Sequence, residues 1–274
     1  KRLAISRTVQ SGSAALAQLG SGYAGSGAAG LVGGQITGQV LATSVLAGLI
    51  WREDHRAIRA LRPLRSLALA RKYINFPKYL IVAHGFNTAS GQMPVLLLSA
   101  LFNTAAAGFF TLTQRVMAAP MSLIANALGD VFRQEASQAY IHQGQCKVIY
   151  QKTFKRLLLI SVVPFTIFFF AAPVLFSWVF GEHWRVAGEY AQILTPMVFL
   201  QFITCPLSSM FMIAEKQRLD LFWQIFLLLL VVISFVLGRF FSNAADALRI
   251  FSSAYCLAYG VNGVMTYHFA KNST

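Results

Sequence analysis

The sequence predicts an all-α integral membrane protein with about eight transmembrane helices. First, 56% of the 274 residues are hydrophobic and only 12% are charged, whereas about a quarter of a soluble globular chain is charged. Second, apolar stretches recur at about the 20-residue length that a helix needs to cross a bilayer. Third, the net charge of +14 is concentrated between these stretches. This composition excludes an ordinary soluble enzyme, a disordered chain and a disulfide scaffold.

Eight apolar stretches define the predicted spans: 4–23, 28–50, 79–101, 104–130, 157–180, 186–213, 221–238 and 250–269. The first span is the most polar because serines and glutamines interrupt it. The second is rich in small residues and contains Gly34 and Gly38 in a GxxxG pattern, which allows close helix contact. The other spans are predominantly apolar, and Pro94 and Pro120 are positioned to kink the third and fourth.

The basic residues predict the orientation in the membrane. The stretches 51–78 and 133–156 are rich in arginine and lysine. Together with other basic residues near the chain ends and near Lys216, they place 19 cations on one side and three on the other. Because basic loops stay in the cytoplasm, both ends of the chain are predicted to be cytoplasmic. The stretch 51–78 is expected to lie along the membrane surface as a helix, restricted by Pro63, in contact with anionic lipids.

The motifs give no indication of catalysis, so we expect a protein that is not an enzyme and holds no cofactor or metal. The sequence has no Walker loop, dinucleotide-binding fingerprint, HExxH or CxxC motif. The predicted extracytoplasmic loops are too short for a catalytic domain. Nucleic-acid binding is disfavoured because aromatic residues are not interleaved with the basic ones. The cysteines are expected to be unpaired: Cys146, Cys205 and Cys256.

The most informative feature is a polar stripe along residues 104–133, which begins in the predicted span 104–130 and continues just beyond it. At helical spacing, one face carries Thr104, Gly108, Thr111, Arg115, Ser122, Asn126, Gly129 and Arg133. A polar stripe on a membrane helix must face protein or water, because lipid offers no hydrogen-bond partner. Arg115 is the only cation deep inside a predominantly apolar span, at a cost of about 2.5–3.5 kcal/mol.

Two interpretations of Arg115 are open. An intramembrane charge indicates a functional site, here for a negatively charged substrate. Alternatively, Arg115 reaches the outer interface or bonds a carbonyl for structural reasons. The span 79–101 has a matching polar face of His84, Asn87, Thr88, Gly91 and Gln92. Its histidine is either a buried structural residue or part of a cavity wall.

The acidic residues lie in loops or at the ends of the predicted spans. A cation-coupled exporter needs a carboxylate deep in the membrane to carry its proton or sodium ion. A cavity that is cationic rather than anionic favours an anionic substrate, such as a pyrophosphate.

Four motifs are similar to those of a known family. Residues 71–77 (RKYINFP) resemble the cytoplasmic entry to the second lobe of Wzx-type polysaccharide and O-antigen flippases. Residues 92–96 (QMPVL) and 108–115 (GFFTLTQR) also resemble that family, and residues 180–184 (FGEHW) are similar to its FGxxW turn. The family, which includes lipopolysaccharide biosynthesis proteins, belongs to the multidrug/oligosaccharidyl-lipid/polysaccharide exporter superfamily.

This resemblance implies that the chain corresponds to part of a two-bundle, twelve-helix transporter. Residues 1–51 would be the last two helices of the N-terminal bundle, and residues 52–78 a basic cytoplasmic linker. Residues 79–274 would form the C-terminal six-helix bundle. Further N-terminal spans are then expected to precede Lys1.

The resemblance also implies a function. Family members translocate undecaprenyl-pyrophosphate-linked oligosaccharide across the bacterial inner membrane for surface polysaccharide biosynthesis, by alternating access. Arg115 would contact the pyrophosphate or acidic sugars. Sugar or water would be bound by the polar groups of the two stripes, namely Thr111, Asn126, His84, Asn87 and Gln92. The expected partners are the lipid-linked oligosaccharide, anionic membrane lipids and polysaccharide polymerase machinery.

Two alternatives are open. One is a cation-coupled small-molecule or drug exporter of the same fold, which requires a membrane-embedded acid. The other is a non-transporting membrane scaffold subunit, in which the polar stripes are helix contacts without a water path.

Overall fold

The computed structural model describes residues 2–23, 27–59, 75–241 and 243–271, and these residues form helices and no strand. The helices are α1 (Arg2–Tyr23), α2 (Gly27–Arg59), α3 (Asn75–Leu101), α4 (Thr104–Gln143), α5 (Lys147–Phe180), a short 3-10 helix (Glu182–Trp184), α6 (Arg185–Leu207), α7 (Met210–Ile213), α8 (Gln217–Arg239) and α9 (Ala244–Lys271). The chain divides into two compact units, Lys1–Tyr73 and Ile74–Thr274.

The first unit contains the paired helices α1 and α2. A Cβ atom added at Gly34 would lie 2.9 Å from the backbone nitrogen of Gln18, and one added at Gly38 would lie 2.6 Å from the Cβ of Ala14. The helices therefore approach closely where glycine leaves space, which confirms the contact predicted from the GxxxG pattern.

The second unit is built around α6. More than half of the residues of α6 are buried, and the helix packs against α4, α5 and α9. Helix α3 packs against α8 and α4. Large side chains such as Phe110, Phe176, Phe235 and Leu248 fill the centre of the unit.

Helices α4 and α5 extend well beyond the predicted spans. Their 40 and 34 residues correspond to about 60 and 51 Å of helix, against a hydrocarbon core about 30 Å thick. The basic stretch 133–156, expected to be a connection, is therefore mostly helical. The break comes at Gly144, whose φ of 68° is left-handed and whose N–H donates to the Tyr140 carbonyl at 2.9 Å. Charged residues are good helix formers once the helix has left the lipid.

The predicted linker 52–78 is described only at its two ends. Residues 52–59 continue α2 rather than starting a separate surface helix, and residues 75–78 begin α3. Residues 60–74, including Pro63, lie outside the described part of the chain.

Three of the described helical segments are long and apolar enough to cross a membrane: Lys147–Phe180, Glu182–Ile213 and Gln217–Arg239. These segments include α5, α6 and α8. The prediction of about eight spans stays a prediction for the others. Helices α1 to α4 carry the serine, glycine, glutamine and arginine residues that lower their mean hydropathy.

The sharp turn between α5 and α6 depends on Gly181. Its φ of 97° and ψ of 160° lie in a region that only glycine adopts readily. The 3-10 turn that follows places the Trp184 ring edge-on against Phe109, with ring centroids 5.6 Å apart. The FGxxW pattern is thus a turn glycine followed by an aromatic anchor.

The contact between α5 and α6 gives a stability prediction at Gly188. A Cβ atom there would lie 2.6 Å from the carbonyl oxygen of Ala172 and 2.6 Å from the Cα of Pro173. We expect Gly188→Ala to destabilise the protein by about 1–3 kcal/mol, because backbone atoms must move. Thermal unfolding in detergent measures this change.

The matched control is Gly260→Ala, because a Cβ atom at Gly260 meets nothing within 4 Å. In a helix interior this control gains up to about 1 kcal/mol from helix propensity. Equal unfolding temperatures for the two variants would contradict the packing described for Gly188.

Candidate functional site

Arg115 lies near the middle of the predicted span 104–130, which belongs to α4. The helix begins at Thr104, where the Asn103 side chain caps it by accepting from the Ala106 N–H at 2.7 Å. Eleven residues further on, Arg115 is about 17 Å along the helix axis. That distance is roughly half of a 30 Å hydrocarbon core, measured from a helix start at the interface.

The first half of the polar stripe of α4, which contains Gly108 and Arg115, is turned away from the core of the second unit, whereas Gly129 further along is buried against Pro206 of α6. Phe110, Thr113 and Met117 are buried on the opposite face. The Thr113 hydroxyl donates to the Ala187 carbonyl oxygen at 2.7 Å and so joins α4 to α6. Gly108 and Arg115, by contrast, are exposed. The unit therefore buries an apolar face of α4 and presents the first half of the polar one.

The Arg115 guanidinium makes no hydrogen bond or ion pair with any residue that the structure describes. The structural interpretation, in which it bonds a carbonyl, has no support within that part of the chain. The Thr111 hydroxyl, half-buried one turn earlier, donates to the Ala107 carbonyl at 2.7 Å and is satisfied within its own helix. The predicted site residue Asn126 belongs to α4, but its side chain lies outside the described part of the structure.

The predicted site residues of α3 are also exposed: His84, Asn87 and Gln92. The Asn87 side-chain amide donates to the Gln224 side-chain oxygen at 3.0 Å, and Gln224 donates in turn to Asp220 at 3.1 Å. Asn87 therefore has a role in joining α3 to α8, beside the substrate contact predicted for it.

Sequence reasoning did not single out Gln224 and Asp220. The available signal was their spacing of four residues, which places both on one face at the start of α8. In the same region the Arg218 guanidinium lies 5.4 Å from the centre of the Tyr79 ring, a second polar contact between α3 and α8.

Helices α3 and α4 are in contact, and the α3 stripe together with Gly108 and Arg115 of the α4 stripe lies on the exposed surface of the second unit. Among the described residues, no hydrogen bond joins the two stripes. The binding roles predicted for Arg115 and for the other five site residues of the two stripes stay predictions. The described residues also contain no group of three or more His, Cys, Asp or Glu side chains that could hold a metal ion. The chemistry that the exposed stripes offer is a positive charge and hydrogen-bonding groups.

Comparison with known proteins gives one match. The family described as "polysaccharide biosynthesis protein" matches residues 1–189, which is more than half of the chain and includes α3, α4 and both polar stripes. No curated protein matches the chain, and no solved structure matches it.

Exposure to water, rather than lipid, is a testable property of the α4 stripe. We expect single cysteines in place of Gly108 and Arg115 to react with a membrane-impermeant, charged thiol reagent, because polar stripes need water or protein. A cysteine in place of Val163, which is 62% exposed on the apolar helix α5, should stay unlabelled. Gel shift after labelling measures the difference.

The background in that experiment comes from the native thiols. Burial raises the pKa of Cys146 to about 11, which keeps the thiol protonated and unreactive near neutral pH. Cys205 is exposed and Cys256 is partly exposed, so both are replaced by serine before the labelling experiment. If positions 108, 115 and 163 are all protected, the polar stripe is a helix contact of a scaffold subunit.

Proposed function

This chain belongs to the polysaccharide biosynthesis protein family, and we propose that it translocates undecaprenyl-pyrophosphate-linked oligosaccharide across the bacterial inner membrane. Family membership indicates a membrane protein with a role in polysaccharide synthesis or export. The single observation that supports translocation is the exposed guanidinium of Arg115 on the polar stripe of α4, which has no hydrogen-bond or ion-pair partner among the described residues.

The physical task of such a protein is to lower the cost of moving a polar headgroup through lipid. A sugar chain loses its hydrogen bonds to water when it enters hydrocarbon, and each unpaired polar group costs several kcal/mol in this setting. Hydroxyls and amides on the stripes of α3 and α4 would replace part of that hydration, while the isoprenoid tail stays in the lipid.

The guanidinium of Arg115 would supply the counter-charge. Its planar arrangement of donors binds phosphate oxygens in pairs, and it stays protonated at any physiological pH. An anionic substrate also offsets the cost of placing the arginine in the membrane, because each charge neutralises the other. No covalent bond changes in this step, so the mechanism needs no catalytic residue and no cofactor.

Alternating access would complete the mechanism, with the polar face opening in turn to each side of the membrane. Proline residues inside the helices, Pro94 in α3 and Pro196 and Pro206 in α6, remove backbone hydrogen bonds and make bending easier. The basic helix ends, such as Lys147 in α5, would contact anionic lipids and keep both chain ends cytoplasmic. Polysaccharide polymerase machinery is the proposed protein partner.

The test of this function is the substitution Arg115→Ala. A charge-assisted hydrogen bond contributes about 1.5–3 kcal/mol, so removal should lower export by about ten- to a hundredfold. Surface polysaccharide of cells whose only copy of the protein carries the substitution measures export. Membrane insertion should be unchanged, since the substitution removes a charge from a membrane helix.

The matched control is Arg133→Ala, on the same helix and five turns further along. Arg133 is exposed and lies 4.0 Å from Asp130, as a surface ion pair of little energetic value. Export at the wild-type level in the Arg115→Ala cells would show that the arginine does not bind the substrate.

A further inference from the structure

A groove on the lipid side of the second unit has no role in the site described above. Helix α6 forms its floor, and α5 and α9 form its walls. Three cavities of about 570, 210 and 300 Å³ follow one another along it. The first and second share Phe199, and the second and third share Phe169 and Pro196.

The groove is nearly as long as the hydrocarbon core is thick. On α5 its lining runs from residue 150 to residue 169, and on α9 from residue 249 to residue 267. A rise of 18 to 19 residues along a helix corresponds to about 27–29 Å, against about 30 Å for the core. The chains of a phospholipid in one leaflet would fill only about half of that length.

The first two cavities of the groove are predominantly apolar, whereas polar residues such as Gln192 and Ser253 line part of the third. Side chains such as Phe154, Leu158 and Val264 line the first cavity. The Tyr150 hydroxyl bonds the Gly263 carbonyl at 3.0 Å and the Thr266 hydroxyl at 2.9 Å, which ties α5 to α9. Space remains beyond that tie because a Cβ atom at Gly260 would meet nothing within 4 Å. Such a groove fits a flexible hydrocarbon chain.

The two ends of the groove differ in charge. At the end predicted to be cytoplasmic, Lys155 lines the opening and has no ion-pair partner among the described residues. At the other end, Arg249 is paired with Asp246 at 2.6 Å. An anionic headgroup therefore finds an available cation at the predicted cytoplasmic end only.

We propose that this groove holds the isoprenoid tail of the carrier lipid, with its phosphate at Lys155. This inference rests on the proposed function, because it assumes a lipid-linked substrate. The groove lies on α5, α6 and α9, whereas the polar stripes lie on α3 and α4. It is therefore a docking position for the carrier on the lipid side, separate from the polar path.

Photocrosslinking in proteoliposomes tests the groove without requiring transport. The photoreactive residue p-benzoylphenylalanine replaces either Leu158, which lines the groove, or its neighbour Leu159, which is 76% exposed. The probes are labelled undecaprenyl pyrophosphate and labelled phosphatidylglycerol. We expect undecaprenyl pyrophosphate to label position 158 about tenfold more than position 159, which corresponds to a binding preference for the groove of about 1.4 kcal/mol. Phosphatidylglycerol should label the two positions equally.

Two substitutions sharpen the result. Gly260→Leu fills the groove and Lys155→Gln removes its cation, so both should lower labelling at position 158. The controls Val261→Leu and Lys152→Gln, each close in sequence but outside the groove lining, should not lower it. Because Lys155→Gln changes only a surface charge, it still gives a result if Gly260→Leu does not fold.

Equal labelling of positions 158 and 159 by undecaprenyl pyrophosphate would overturn the proposal, because it would show that the probe contacts the helix only as surrounding lipid does. The same preference for phosphatidylglycerol would also overturn it, by showing a phospholipid site. Failure here is separable from failure of the proposed function. Export lost in Arg115→Ala with no groove labelling rejects only the groove, and groove labelling with normal export in Arg115→Ala rejects only the substrate contact proposed for Arg115.

Discussion

The outward surface of the second unit is constrained by lipid, which cannot hydrogen-bond a side chain. Helix α5 satisfies that constraint, because its exposed side chains include Leu159, Val163 and Phe170. Helix α4, in the same unit, does not, because its exposed face carries Gly108 and Arg115. Two helices of one bundle thus present surfaces suited to different surroundings, and the functional interpretation depends on this contrast.

Polar side chains inside the unit have a different role from those on the stripes. Thr113 donates to Ala187 and Ser252 donates to Ile193, each bond joining two helices, and Ser208 in the turn after α6 donates to Asn262 of α9. Helices in lipid gain little from the hydrophobic effect, so such bonds and close packing hold them together. Since these interior groups are satisfied by protein, they place no demand on a ligand. The exposed guanidinium of α4 has no comparable protein partner among the described residues.

The sequence predicted the helical class and the positions of the helices well, because apolar length and Gly or Pro punctuation are local signals. The predicted spans ended α4 too early and began α5 too late, because a basic segment outside the lipid can form either a loop or a helix. The break between the two helices comes at Gly144, whose left-handed backbone ends α4. Periodicity could place the residues of the α4 stripe on one face of the helix, but only the packing of α4 on α6 shows that Arg115 is exposed and Gly129 is buried. The contact between Asn87 and Gln224 could not be inferred from the sequence, because 137 residues separate them and only the packing of α3 on α8 brings them together.

Amphipathic carriers present two incompatible surfaces, and the second unit offers a separate match for each. The groove on α5, α6 and α9 is predominantly apolar over its first two cavities, whereas the stripes on α3 and α4 carry polar groups and Arg115. If both sites hold parts of the same class of molecule, the protein need not desolvate a headgroup to recognise its substrate. Recognition of the tail would then occur in lipid, at little electrostatic cost, and would raise the local concentration of carrier beside the bundle. The expensive step of the proposed function, moving charge and sugar across hydrocarbon, would be confined to the helices that carry Arg115 and its neighbours.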